Sequence, residues 1–350
     1  MGTVAAEAFI VSTWTKPGDD PARRTGLWRL ELETDPVAAL MDDELSAIYW
    51  ATAEPARSSL LLLNNDEERS SLLRWTPATH DATVPRWSSG GVGGSYLAFH
   101  PEGRHFVVAN SGAGWSLFRT GDTPAPLVTV MNSGQGPHPR QATSHPHCAI
   151  FSADGRWMYA ADMGTDEVLA FPFDASTEQL GEVVRSHRAA PGAGPRHLLE
   201  ASDVIYLLNE LDSTVEVLRP RGDGTLDAAQ RLSTLPADFS GESYAAHLGT
   251  SPDGCHLYAT NRGHDSIAHF TIADDGSLTI RDWVLTGGWP WHFQATRDGR
   301  LLVANNQSDE VAIYTIDQGR LRAAGSVPIP RPVFIAPEPA TPTTPAPSAA

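Results

Sequence analysis

The chain has 350 residues, with 25 basic and 42 acidic side chains and a formal net charge of −17. A surface this acidic repels phosphate backbones and anionic bilayers, which argues against nucleic acid or a membrane surface as partner. No apolar run approaches the roughly 20 residues of a membrane helix, and the N-terminal MGTVAAEAFIVSTW lacks the basic stretch and long apolar segment of a signal peptide, so a soluble cytoplasmic protein is expected.

In chain order, AFIVSTWT and GLWRLELE are the first predicted strands. WATAEPARSSLLLLNN (Trp50 to Asn65) and SSLLRWTP follow, with no glycine in the intervening turn. From there a repeat is plain. YLAFHPEGRHFVVAN (Tyr96 to Asn110), HCAIFSADGRWMYAAD (His147 to Asp162), HLLEASDVIYLLN (His197 to Asn209), HLGTSPDGCHLYATN (His247 to Asn261) and HFQATRDGRLLVAN (His292 to Asn305) share one order: an alternating strand, a tight turn, then a more apolar strand ending in Asn or Asp. An acidic residue followed by glycine between two such runs is a hairpin signal, because glycine reaches the positive φ that tight turns need. EVLAFPF, TVEVLRP, SIAHFTI and EVAIYTI supply a third strand, and polar segments such as ADDGSLTI a turn and a fourth. Four strands per unit at this period describe propeller blades. With the two divergent units at the start, the reading is an all-β, seven-bladed propeller of four-stranded antiparallel blades around a central channel. One domain is expected over residues 1–336, closed by pairing of VPIPRPVFIA (Val327 to Ala336) with the first strands. The Pro/Ala/Thr-rich segment 337–350 reads as a disordered tail.

The repeat serves as an internal alignment. The residue ending the second strand is Asn64, Asn110, Asp162, Asn209, Asn261 or Asn305, a column suited to a turn or an inter-blade hydrogen bond. The next position runs Asn65, Ser111, Met163, Glu210, Arg262 and Asn306; the glutamate and the arginine depart from its neutral character. Just before the first strand's opening aromatic stand Ser95, Pro146, Arg196, Ala246 and Trp291, where Arg196 is the exception. In a closed ring, equal positions converge on one mouth of the channel, so Arg196, Glu210 and Arg262 would lie close together. Two readings stay open: a site on a rigid scaffold, or loop charges that pin neighbouring loops. The opening column itself, read as Tyr96, His147, His197, His247 and His292, suits a structural role with titratable rings facing the channel. His145 and His147 share a strand face but lack a third ligand at zinc spacing. Trp289 and Trp291 fit mouth packing better than a binding patch.

Other chemistry is not spelled out. The glycine runs GGVGGSY and GAGPRH do not have dinucleotide or phosphate-loop spacing, and no G-x-S-x-G occurs. Cys148 reads as a buried filler and Cys255 as an exposed turn residue, too few for a disulfide framework.

In order, SHPHCAIFSADGRWMYAADMGTDEVLAFPFD, GPRHLLEASDVIYLLNELDSTVEVL, YAAHLGTSPDGCHLYATNRGHDSIAHFTI and GGWPWHFQATRDGRLLVANNQSDEVAIYTI resemble the seven-bladed propeller lactonases. That family includes propeller-type 6-phosphogluconolactonases and carboxy-muconate lactonising enzymes. The resemblance is strong from Gly93 to Pro330 and weak over the first ninety residues. It implies a cleft holding His147, Arg196, Glu210 and Arg262, without cofactor or metal, acting on a small-molecule lactone or organic acid. Sugar-lactone hydrolysis is the expected activity, with Glu210 or His147 activating water and the arginines stabilising the oxyanion. The alternatives are a muconate cycloisomerase-type lactonising reaction and a non-catalytic interaction module.

Overall fold

The computed structural model describes residues 7–14, 25–33, 35–45, 47–55, 57–65, 69–77 and 85–340. Among them the strands form seven antiparallel sheets, each the expected blade. Blade 2 runs through Ile48–Ala53, Leu60–Asn65, Ser70–Trp75 and Arg86–Ser88. Blade 3 runs through Gly94–Phe99, His105–Asn110, Gly114–Arg119 and Pro126–Val130. Blade 4 has Pro146–Phe151, Trp157–Asp162, Glu167–Asp174 and Val184–Arg188, with Gln179–Leu180 as a short addition. Blade 5 has Pro195–Ala201, Val204–Asn209, Thr214–Pro220 and Leu226–Ser233. Blade 6 has Tyr244–Thr250, His256–Arg262, Ser266–Ile272 and Leu278–Leu285, and blade 7 has Pro290–Ala295, Arg300–Asn305, Glu310–Asp317 and Arg320–Pro328.

Ring closure follows the expected plan. Blade 1 takes Glu7–Thr13, Leu27–Leu32 and Val37–Asp42 from the start of the chain and its innermost strand, Pro332–Pro337, from the end, with Val11 opposite Ile335 and Ile10 opposite Ala336. The chain's two ends thus share a sheet, and the ring has no open seam. Just beyond the closing strand, Glu338 accepts a hydrogen bond from Arg29 at 2.8 Å; residues 341–350 of the expected tail lie outside the described residues.

The turns behave as their sequences require. Gly103, Gly155, Gly254 and Gly299 have φ of 72°, 72°, 71° and 84°, values an L side chain adopts at a cost. The shortened blade 5 turn instead places Ser202 and Asp203 at φ of 52° and 59° between the paired residues Ala201 and Val204. Two successive positive φ values are those of the type I′ hairpin. In blade 2, where the glycine is missing, a buried carboxylate holds the turn: Glu54 accepts from Arg74 at 2.5 and 2.8 Å and from the Ser59 hydroxyl at 2.6 Å. Glu54→Gln removes the charge that pairs Arg74 and is expected to cost about 1–3 kcal/mol, read as a lower urea midpoint; an unchanged midpoint would show that the turn stands without this clamp.

The core lies between blades, where apolar faces of adjacent sheets meet. Between blades 5 and 6, Tyr206, Val217, Leu257 and Phe270 are buried together, each contributing roughly 1.5–3 kcal/mol. The recurring Asn/Asp column ties blades to the links that enter them: Asn110 Nδ2 donates to the Ser89 carbonyl, Asn261 Nδ2 to the Thr234 carbonyl, and Asn305 Nδ2 to the Thr286 hydroxyl. Asp162 accepts from Asn132 Nδ2 in the same way. Asn209 instead donates within its own blade, to the Thr214 hydroxyl and the Glu216 carboxylate, so the column serves both roles the repeat left open.

Candidate active site

Every innermost strand carries the same irregularity. In blade 3 the pairing passes from Gly94 to Tyr96, in blade 4 from Pro146 to Cys148, in blade 5 from Pro195 to His197, and in blade 7 from Pro290 to His292, each time with one extra residue on the inner strand. Blade 2 does so between Ile48 and Trp50, blade 6 between Ala245 and Leu248, and the closing strand between Pro332 and Phe334. A bulge re-aims the side chain it frees. The freed positions are Val333, Tyr49, Ser95, His147, Arg196, Ala246 and Trp291, one per blade. All but Ala246 line a single cleft at one mouth of the channel.

This pairing corrects the alignment read from the sequence. His147 does not belong with His197, His247 and His292; it occupies the bulge position shared with Ser95, Arg196 and Trp291, and Cys148 takes the place in the imidazole column. Counting back from the Asp-Gly turn, rather than from the first histidine, gives the same registration.

One residue below the bulges, a ring of side chains closes the channel. Phe334, Trp50, Tyr96, His197, His247 and His292 follow one another with centroid separations of 5.0, 4.1, 5.3, 5.4, 4.0 and 4.2 Å, the last returning to Phe334. Cys148 is hydrogen-bonded to Tyr96. The cleft above this floor has a volume of about 270 Å³, and a second cavity of about 520 Å³ lies at the opposite mouth, with Trp50 and His292 in the walls of both. The histidine column is therefore structural, and its rings remain neutral because burial lowers their pKa values, that of His247 to about 3.

Above the floor, the three residues that broke the repeat meet. The buried Glu210, which follows blade 5's second strand, receives Arg196 Nη1 on one carboxylate oxygen and, on the other, Arg140 Nη1 at 2.6 Å and Arg262 Nη2 at 2.9 Å. Arg196 Nη1 also reaches His147 Nε2 at 2.7 Å, and its Nε donates to the Ala246 carbonyl at 2.6 Å. A guanidinium only donates, so His147 Nε2 accepts and the ring proton sits on Nδ1, which is buried without a partner. Arg262 donates to the Tyr244 and Ala245 carbonyls at 3.3 and 3.4 Å, and its guanidinium lies 5.5 and 5.2 Å from the Trp289 and Trp291 rings. Those tryptophans pack the mouth, Trp291 joining Trp14 and Tyr49 in an edge-to-face group.

Burial alone would raise the Glu210 carboxyl, but Arg196, Arg262 and Arg140 hold it well below the usual carboxylate range. Burial lowers Arg262 to about 10, against the pull of Glu210. His147 is pushed well down, first by burial and then by Arg196, and His145 is lowered by burial. Both imidazoles are neutral at neutral pH. Three cations around one anion leave the cleft with two net positive charges in a strongly acidic protein, a field that draws anions and polarised carbonyl oxygens.

Two cleft residues had no signal in the repeat. Arg140 and His145 belong to the 131–145 link between blades 3 and 4, which has no counterpart of that length elsewhere, so no column exposes them. His145 stacks on His147 at 6.1 Å and 16°, and its imidazole has no hydrogen-bond partner among the described residues. Cys148 is buried and Cys255 exposed, both free. No helix among the described residues is long and apolar enough to cross a membrane.

The comparisons with known proteins agree with this geometry. A family model described as lactonase, 7-bladed beta-propeller, matches residues 9–337. A 6-phosphogluconolactonase of Bacillus subtilis is 32% identical over 225 residues, 61% of this chain and 63% of that protein. One from Cronobacter sakazakii is 28% identical over 310 residues, 85% and 90% of the two chains. The chain spans 61–63% of the length of the first curated relatives it matches. Among solved structures, the periplasmic gluconolactonase of Pseudomonas aeruginosa superposes with a TM-score of 0.83 at 24% identity, covering 95% of this chain and 99% of that one; a protein from Lactobacillus plantarum gives 0.84 at 23%, with the same coverage. With a family match that runs from residue 9 to residue 337, nearly all the described residues, the chain belongs to the 7-bladed beta-propeller lactonase family.

Proposed function

We propose that the cleft hydrolyses a lactone, with a sugar lactone as the substrate class it suits best. The observation that carries this is the cluster itself: Arg196 and Arg262, buried and fixed to backbone carbonyls, gathered by Glu210 beside two neutral histidines. Three curated relatives bear the name 6-phosphogluconolactonase and add weight to the sugar-acid reading.

Water attacks the lactone carbonyl carbon, its oxygen forming the new C–O bond while the carbonyl oxygen gathers negative charge. Preorganised guanidinium donors stabilise that oxygen in a site partly closed to solvent. The water's proton passes to an imidazole. The ring C–O bond then breaks and the imidazolium returns the proton to the departing alkoxide, leaving a hydroxy acid. Glu210 is a poor proton acceptor in this setting, because three guanidiniums stabilise its ionised form. Its role is to hold the arginines. His147 has its Nε2 lone pair engaged by Arg196, so His145, stacked on it and open to the cleft, receives the proton.

Wild type should release acid from γ- or δ-lactones, with kcat/KM falling toward acid pH as an imidazole of lowered pKa protonates, so that the acid limb lies below the ordinary 6.5. His145→Gln should lower kcat by about 10²- to 10⁴-fold and remove that limb. A variant as fast as wild type with the limb intact would pass the role to another group, and a wild type that opens no lactone above background would end the hydrolytic reading.

A further inference from the structure

The three arginines around Glu210 are not equivalent, and the difference points to how a substrate is held. Arg196 and Arg262 are buried, and each is tied to backbone carbonyls as well as to the carboxylate. Neither can turn away without leaving a buried charge, a costly state. Arg140 differs on every count. Its side chain is 44% exposed, it comes from the link rather than from a strand, and its single ion pair goes to the Glu210 oxygen that Arg262 already occupies. Its Nε and Nη2 have no hydrogen-bond partner among the described residues. The guanidinium lies 5.4 Å from the Tyr244 ring, a face over which it can slide. If Arg140 leaves, Glu210 keeps both buried partners and stays neutralised.

We infer that Arg140 is the cleft's specificity-determining arm: it turns from Glu210 to grip an anionic substituent of the ligand, through a forked pair with a phosphate or carboxylate remote from the reacting carbonyl. The inference rests on the hydrolytic reading for the ligand's class, but not for its own test. A guanidinium with two unused donor positions matches the geometry of such an anion. The remainder of the cleft wall is neutral or fixed in place: Asn65 and Ser111 offer an amide and a hydroxyl suited to sugar hydroxyls, whereas Arg196 and Arg262 are anchored to Glu210 and to backbone carbonyls beside the reacting carbonyl. Arg140 is thus the exposed cleft arginine that can turn to distinguish a phosphorylated sugar acid from an unphosphorylated one.

The test is the ratio of dissociation constants for gluconate and 6-phosphogluconate, measured by calorimetry on wild type, Arg140→Gln and Arg140→Lys. Wild type should bind the phosphorylated acid at least about 10-fold more tightly. Arg140→Gln should bring the ratio to about one with gluconate affinity unchanged within about twofold, and Arg140→Lys should keep part of the preference, since a lysine supplies the charge but not the fork. Equal losses for both acids would assign Arg140 to holding Glu210 alone and overturn the inference, as would a wild type without preference or an Arg140→Gln ratio equal to that of wild type. Binding needs no turnover, so a chain that opens no lactone sinks the hydrolytic reading while this ratio still decides for or against Arg140. On any lactone the protein opens, the same substitution should raise KM for the phosphorylated form more than for the unphosphorylated one.

Discussion

Glu210→Gln should cost the fold about 3–5 kcal/mol, because it removes the one anion that neutralises two buried guanidiniums while leaving their volume and hydrogen-bonding shape nearly intact. The carboxylate is fully buried, and Arg196 and Arg262 are each about 5% exposed. Without it, Arg262, already lowered to about 10 by burial, would be pushed further toward its neutral form. Against a typical stability of about 5–15 kcal/mol this is a large fraction, readable as a fall in urea midpoint at pH 7.5. Activity should fall as well, since the donors aimed at the oxyanion lose their anchor. The paired readout separates two roles for the residue. A tether loses stability and activity together. A general base loses activity alone, because a polar isostere then replaces a carboxylate that the fold did not need. Glu210→Ala opens a hole of carboxylate size, and acetate at high concentration should raise its midpoint more than that of wild type. A Glu210→Gln protein as stable as wild type would overturn the tether role and return the proton transfer to the glutamate.

Much of this arrangement was legible because the site is made from equal positions of a repeating unit. The Asp-Gly turns and the alternation of the strands marked the blades, and Arg196, Glu210 and Arg262 stood out as exceptions within columns that ring closure brings to one mouth. The structure gathers them at one carboxylate. His147 is marked only by the family resemblance, since a repeat aligned on its histidine places it in the imidazole column. The bulge that frees it adds one residue to the inner strand and carries no residue type of its own: Val333, Tyr49, Ser95, His147, Arg196, Ala246 and Trp291 share nothing but position. Arg140 and His145 stand apart for a different reason. The sequence offers His145 only as a strand-face neighbour of His147 and Arg140 only as one of several cations, and no column of the repeat marks either. A link without a counterpart in other blades offers nothing to compare, and its placement depends on tertiary contacts such as Gln141 Nε2 donating to Asp166 at 2.6 Å. The clamp of Glu54 and Arg74 is another compensation that appears only when the sheet is assembled.

The same repeat that builds the cleft predicts how the protein responds to acid. Stability should be constant above about pH 7 and fall steeply below the ordinary histidine value of 6.5. His197, His247 and His292 are held neutral, chiefly by burial, with the Arg196 charge adding to the effect at His197 and His247. In the unfolded chain these imidazoles titrate near 6.5. Between that value and the depressed folded values, down to about 3 for His247, the unfolded chain binds more protons, so stability rises with pH across the window and is lost as pH falls through it. With His147, held well down by burial and by Arg196, four such groups give a slope of up to about 5 kcal/mol per pH unit, enough to unfold a domain of ordinary stability between about pH 5 and 4. Glu210 acts in the same sense but only below the usual carboxylate range, so the interval from 6.5 to 4.5 belongs to the imidazoles. Urea midpoints at pH 7.5, 6.5, 5.5 and 4.5 should fall progressively. His247→Gln, which keeps a neutral polar group where the imidazole met His197 Nδ1 at 3.3 Å, should remove about one quarter of the slope while losing some stability at pH 7.5. A wild-type midpoint that stays level from pH 7.5 to 5 would mean that the ring rearranges to solvate its histidines, and the channel floor would then be a gate rather than a plug.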